Sequence, residues 1–116
     1  MHTMKVQTKY YNLLKSGAKT VELRLWDEKR QLIKVGDQII FSDLSNPDDT
    51  FTGQVLALHR ANSFDKLCDI ISPAQAGFAT KEELIDCLQE FYTPEAQAQY
   101  GVVGIEVKKI NDFYLK

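Results

Sequence analysis

The run from Thr20 to Trp26, Thr-Val-Glu-Leu-Arg-Leu-Trp, constrains the fold more than any other part of this chain. Val21, Leu23 and Leu25 alternate with Glu22, Arg24 and Trp26, and a period of two predicts a strand with one apolar and one charged face. Before it, Lys9 to Ser16 carries Tyr10, Tyr11, Leu13 and Leu14 at helical spacing, and Gly17 suits the left-handed residue that ends a helix. A helix, a glycine stop and a strand therefore crowd Lys19, Glu22 and Arg24 into six residues. Two readings of the charged face stand side by side. It is a solvated ion pair of little energetic weight, or an anion-binding site in which a carboxylate orients a guanidinium.

The rest of the chain mixes strands with inserted helices. Met4 to Val6 opens a short strand. Gln31 to Val35 runs to a turn at Gly36-Asp37, and Ile39 to Phe41 is a compact apolar strand. Ser45 to Asp49 reads as a hairpin loop, and Phe51 to Leu58 as the returning strand, with a bulge at Gly53. Ser63 caps a short helix through Ile71, and Pro73 to Gly77 is a break. Thr80 with Glu83 is a capping box, followed by a buried stripe of Leu84, Ile85, Leu88, Phe91 and Tyr92. Thr93-Pro94 starts another helix, and Val102 to Val107 is the last strand. No repeat or linker interrupts the pattern, so residues 1–116 read as a single domain of the α+β class, with a mainly antiparallel, barrel-like sheet.

Charge is unevenly spread. The chain carries a net −2, yet eight basic residues against three acidic ones leave residues 5–34 at +5 and the remainder at −7. A basic zone on an acidic body attracts a phosphate backbone locally; charges simply covering solvent-facing positions give the same count. The acidic helix bearing Glu82, Glu83, Asp86 and Glu90 is a poor surface for RNA. No apolar run approaches the roughly 18 residues of a membrane span. The N-terminus lacks the apolar core of a signal peptide, and two widely spaced cysteines, Cys68 and Cys87, read as buried free thiols of a cytoplasmic protein. His2 and His59 have no partners at ligand spacing, so no metal and no cofactor is expected, and His59 reads as a structural or rim residue. Neither a nucleotide-binding glycine loop nor a nucleophile elbow is present.

What remains is Lys19 with Glu22 and Arg24. Lysine anchors phosphate or serves as a base, arginine donates in bidentate fashion, and Glu22 accepts from an amine or holds Arg24. Trp26, Tyr10, Tyr11 and Tyr100 are stacking candidates for an unpaired base, or else core residues. Tyr10 and Tyr11, about 100° apart on a helix, should diverge, one inward and one outward.

The octad Gly-Ala-Lys-Thr-Val-Glu-Leu-Arg at 17–24 resembles the Gly-x-Lys-x-x-Glu-x-Arg signature of the ASCH (activating signal cointegrator homology) family. Asp27 to Arg30 with Ile33 to Phe41 resembles that family's second strand region, and Tyr100 to Val107 its closing strand. The similarity spans nearly the whole chain and is greatest to small, free-standing bacterial members. It implies a PUA-like β-barrel with helices inserted between strands, and a cleft between barrel and helices bordered by the octad. It also implies RNA or nucleotide binding, through Lys19, Thr20, Glu22, Arg24, Trp26, Lys29, Arg30 and Tyr100. A second implication is hydrolysis of a modified nucleoside, since one bacterial branch removes acetyl from acetylcytidine with a lysine, a threonine and a glutamate. Lys19 matches that lysine, Glu22 stands where the threonine would be, and Thr20 lies two residues away. A third is ribonuclease activity. Catalysis would fall to Lys19 and Glu22 if the protein is an enzyme.

Overall fold

The computed structural model describes residues 2–110. The alternating run forms β2 (Val21–Leu25). It pairs antiparallel with β5 (Val102–Lys109), Glu22 opposite Ile105 and Arg24 opposite Val103. β5 pairs with β4 (Asn46–Ala61), β4 with β3 (Gln38–Asp43), and β3 in parallel with β1 (His2–Val6). The result is a curled half-barrel of order β1-β3-β4-β5-β2. Only the β1–β3 pair is parallel, and β1 and β2 are the two edges. Four α-helices pack around it among the described residues: α1 (Thr8–Ser16), α2 (Phe64–Leu67), α3 (Lys81–Gln89) and α4 (Pro94–Tyr100). The α+β half-barrel with inserted helices is the architecture expected from the sequence.

Alternation along the strands divides the core in two. Met4, Val6, Phe41, Val55, Val103 and Ile105 face one way and meet Tyr11 and Leu14 of α1. Val21, Leu23 and Val102 face the other and meet Phe64, Leu67, Leu84 and Leu88 of α2 and α3. Tyr11 is fully buried while Tyr10 is half-buried, the divergence expected of neighbours on a helix. Gly17 ends α1 at φ 87°. Ser63, Thr80 and Thr93 each accept a backbone N–H at a helix start.

Several local expectations are corrected. Residues 31–35 are not extended: Arg30–Leu32 is one turn of 3₁₀ helix, and the chain straightens only at Ile33 before the turn at Gly36. The 45–49 loop is shorter than its Pro-Asp composition implies, because Asp43 pairs with Asn46 across a two-residue turn. The extra length of Pro47 to Asp49 is absorbed as a register shift before Thr50. Gly53 does not make the bulge, which lies between Val55 and Ala57. Gly53 is instead a close approach, since a Cβ there would sit 3.1 Å from the Phe41 ring. The 73–77 break is a capped 3₁₀ turn, with Ser72 and Gln75 bonding reciprocally. Helix α3 stops at Gln89, so Phe91 leaves the buried stripe and is exposed. His59 is structural, its Nε2 2.9 Å from Glu106 Oε1 on β5.

Gly104 shows how closely β5 and β2 pack. A Cβ there would lie 2.9 Å from Val21 Cγ1 and 3.5 Å from Leu67 Cδ2. Gly104→Ala is expected to destabilise the protein by about 1–3 kcal/mol through overpacking. A thermal melt reads this as a drop of several degrees, and an unchanged midpoint would refute the packing account.

Candidate functional site

Because β2 turns Glu22 and Arg24 toward the face that carries Ile105 and Val103, their charges enter an apolar environment and need partners there. Lys19 reaches the same place from the segment after Gly17. Its backbone N–H donates to Leu13 O at 3.0 Å, and that of Thr20 to Gln75 O at 2.9 Å, so both flanking helical segments hold it. Gly77, at φ 90°, lets the Lys19 stem pass, since a Cβ there would lie 3.2 Å from Lys19 Cδ.

The three side chains form one buried network. Lys19 is 4% exposed and Glu22 5%. Lys19 Nζ lies 3.0 Å from Glu22 Oε1, and Arg24 donates to Glu22 Oε2 through Nε at 3.0 Å and Nη2 at 2.8 Å. Nη2 also donates to the backbone carbonyl of Lys5 at 2.8 Å. Arg24 therefore ties edge strand β2 to edge strand β1. Burial by itself would raise the Glu22 pKa; the Lys19 and Arg24 charges overcome that and hold it at about 2. Burial pulls the Arg24 pKa down, and the Glu22 carboxylate more than reverses this, leaving it raised. The solvated-pair reading is thus overturned: this is a buried network with a net charge of +1.

The network floors a cavity of about 210 Å³ between the sheet edge and α3. Tyr10, Phe78, Phe91 and Tyr92 supply aromatic walls, with Leu44 and Cys87 also lining it. Lys19 Nζ sits 5.0 Å from the centre of the Tyr10 ring. Tyr10 Oη lies 3.5 Å from Cys87 Sγ, and burial together with this contact pushes the phenol to about 12. Leu44 and Phe91, each about half exposed, stand at the mouth.

A family model described as ASCH domain matches residues 4–111. The chain belongs to the ASCH domain family. Two solved structures resemble it closely. The crystal structure of hypothetical protein PH0355 is 34% identical, with a TM-score of 0.82, covering 93% of this chain and 97% of that one. The NMR structure of protein PF0455 from Pyrococcus furiosus is 32% identical, with a TM-score of 0.74, covering 95% and 97%. A crystal structure of a mutant ZmASCH protein from Zymomonas mobilis shares the fold, at 15% identity and a TM-score of 0.67, over 98% of this chain and 75% of that one. No curated protein sequence matches.

Within this ASCH domain, the residues singled out from sequence fall into two groups. Lys19, Glu22 and Arg24 share the cavity. Thr20, Trp26, Lys29, Arg30 and Tyr100 do not line it. Thr20 is engaged through its backbone with Gln75 and Val107. Arg30 pairs with Asp27 at 3.0 Å, Lys29 is exposed, and Trp26 lies under Arg60. Sequence reasoning missed Phe78, Phe91 and Tyr92 as walls. Phe91 and Tyr92 continue an apolar helical stripe and look like core, and nothing local marks the end of α3 at Gln89, two residues before Phe91.

The low Glu22 pKa gives a signed pH dependence. Its ordinary value is 4.5 and its folded value about 2, so the unfolded chain binds more protons between them and stability falls as pH drops through that window. The stabilisation is complete above about pH 5 and of order 3 kcal/mol. Glu22→Gln should lower stability at pH 7 by roughly 3 kcal/mol, because it leaves two buried cations uncompensated. The difference from wild type should shrink as pH approaches 2. Asp37 and Asp49 are also held low by their partners, so the informative quantity is that difference in urea midpoints. A difference independent of pH would refute the account.

Proposed function

We propose that this ASCH domain binds one unpaired base, as a nucleoside or nucleotide or within single-stranded RNA, in the cavity floored by Lys19, Glu22 and Arg24. The observation that carries the reading is the donor balance of that floor. Glu22 Oε2 accepts twice from Arg24 and Oε1 once from Lys19, so a single lone-pair site on Oε1 is left for an amine. Lys19 spends one of its three N–H groups on Glu22, and among the described residues Arg24 Nη1 makes no hydrogen bond. The floor therefore offers donors and a net positive charge to a carbonyl, ring nitrogen or phosphate. The aromatic walls offer π-faces to a base. At about 210 Å³ the cavity is below the roughly 300–1,000 Å³ of sites for drug-sized ligands, which suits a single base. Free thiols at Cys68 and Cys87 fit a cytoplasmic setting. Among the described residues no helix is long and apolar enough to cross a membrane.

The hydrolase reading draws less support. The Thr20 hydroxyl does not line the cavity, and a carboxylate with a pKa of about 2 is a weak base at neutral pH. Rapid, Lys19-dependent release of acetate from acetylcytidine would reverse that preference.

The test is a thermal-shift panel of nucleosides and short RNAs, since a ligand of the native state raises the melting temperature. Phe91→Ala is the preferred variant, because Phe91 is 52% exposed and contributes little to the core. It should weaken binding by about 1–3 kcal/mol, the usual worth of a stacked base, with the unliganded melting point nearly unchanged. Binding that ignores both Phe91→Ala and Lys19→Met, or no binding at low salt where the electrostatic attraction is greatest, would remove this reading.

A further inference from the structure

Residues singled out in the sequence but absent from the cavity gather around a second feature. Val103 of β5 lies opposite Arg24 of β2 on one side and opposite Arg60 of β4 on the other. Arg24, Val103 and Arg60 thus form one row across three strands and share a face. At about 4.8 Å per strand step, the two arginine backbones are roughly 10 Å apart. Trp26 follows Arg24 by two residues and so faces the same way. The Arg60 guanidinium lies 4.7 Å from the centre of the Trp26 ring.

Trp26 is held through its backbone. Trp26 N–H donates to Gly101 O at 2.9 Å, and Gln31 Nε2 donates to Trp26 O at 3.0 Å. The Trp26 ring packs against the inner core, and Arg60 itself is exposed. Covering apolar surface is one use of an arginine over a tryptophan. Half-buried Lys15 and Lys81 are answered by Asp49 and Asp65, whereas among the described residues no carboxylate pairs with Arg60, as with exposed lysines such as Lys5 and Lys66. The outer plane and edge of Arg60 therefore remain available, in an orientation the ring fixes. Lys29, on the turn after Trp26, and Tyr100, beside Gly101 and 38% exposed, adjoin this point in the chain.

We propose that Arg60, held over Trp26, is a second subsite, which takes the nucleotide adjoining the one in the cavity. The ligand is then a strand of RNA rather than a free nucleoside. The inference rests on the cavity reading above and extends it. Arg60 stacks on the adjoining base or donates to the phosphate between the two, as a pre-oriented guanidinium does at little entropic cost. The roughly 10 Å between the Arg24 and Arg60 backbones is short enough for an adjoining nucleotide to span, whereas the cavity alone holds one base.

The experiment compares the four nucleosides with mixed-sequence RNA trinucleotides, by thermal shift and by calorimetry at two salt concentrations. Wild type should bind the trinucleotides about tenfold more tightly than any nucleoside. Arg60→Ala should abolish that gain, reduce the salt slope by about 0.7 for one lost phosphate contact, and leave the nucleoside response intact. Arg60→Lys, which keeps the charge without the plane, should keep the salt slope and recover only part of the affinity; it also serves if Arg60→Ala fails to fold. Trinucleotides should alter emission from Trp26, the chain's single tryptophan, and this change should be lost in Arg60→Ala. Trinucleotide affinity untouched by Arg60→Ala, or no tighter than that of nucleosides in wild type, overturns the second subsite and leaves the cavity reading standing. Absence of binding by every probe removes both.

Discussion

The Glu22 carboxylate joins what would otherwise be separate parts of this protein. It sits on the core face of an edge strand, and it remains ionised there only because Lys19 and Arg24 meet it from two directions. Arg24, once oriented, spends its remaining Nη2 donor on a carbonyl of the opposite edge strand. One carboxylate therefore positions the lysine that follows α1, aims the guanidinium, and helps hold the two open edges of the half-barrel at a fixed separation. The cavity exists in the gap that this arrangement keeps.

Such a network is not an efficient way to stabilise a small core. Apolar side chains of similar volume often serve as well or better, while removal of a single member is costly. On the reading proposed above, its arrangement is a ligand-facing device. Both Glu22 oxygens are engaged by their cations, and Lys19 and Arg24 keep N–H groups that this carboxylate does not use. Aromatic rings around the floor lower the local polarity, which strengthens a hydrogen bond made there. On that reading, the same charges that burden the fold are pre-oriented for binding, and less entropy is lost when a ligand arrives.

Much of the architecture was legible in local sequence. The period-two runs marked β2, β3, β4 and β5, and the Ser63, Thr80 and Thr93 caps marked three helix starts. Those signals are legible because backbone satisfaction and amphipathic patterning act over a few residues. The errors fell where tertiary contacts outweighed composition. Pro47 to Asp49 looks like a loop, yet pairing between Asp43 and Asn46 draws it into the strand. Gly53 looks like a bulge, yet the Phe41 ring is what requires a glycine there.

The sequence by itself determined that Glu22 and Arg24 share a strand face, that Lys19 lies close to them, and that Tyr10 and Tyr11 part company on their helix. Those facts follow from the fixed periods of strand and helix. Only the tertiary structure decided that the charged face looks inward, because which face of a strand is buried depends on what packs against it. It also chose the walls. Phe78, Phe91 and Tyr92 lie more than fifty residues from the octad, and Arg60 reaches the row of Arg24 only through β5. Pairings between distant strands carry no local signature, so the gathering of those residues is a property of the folded sheet.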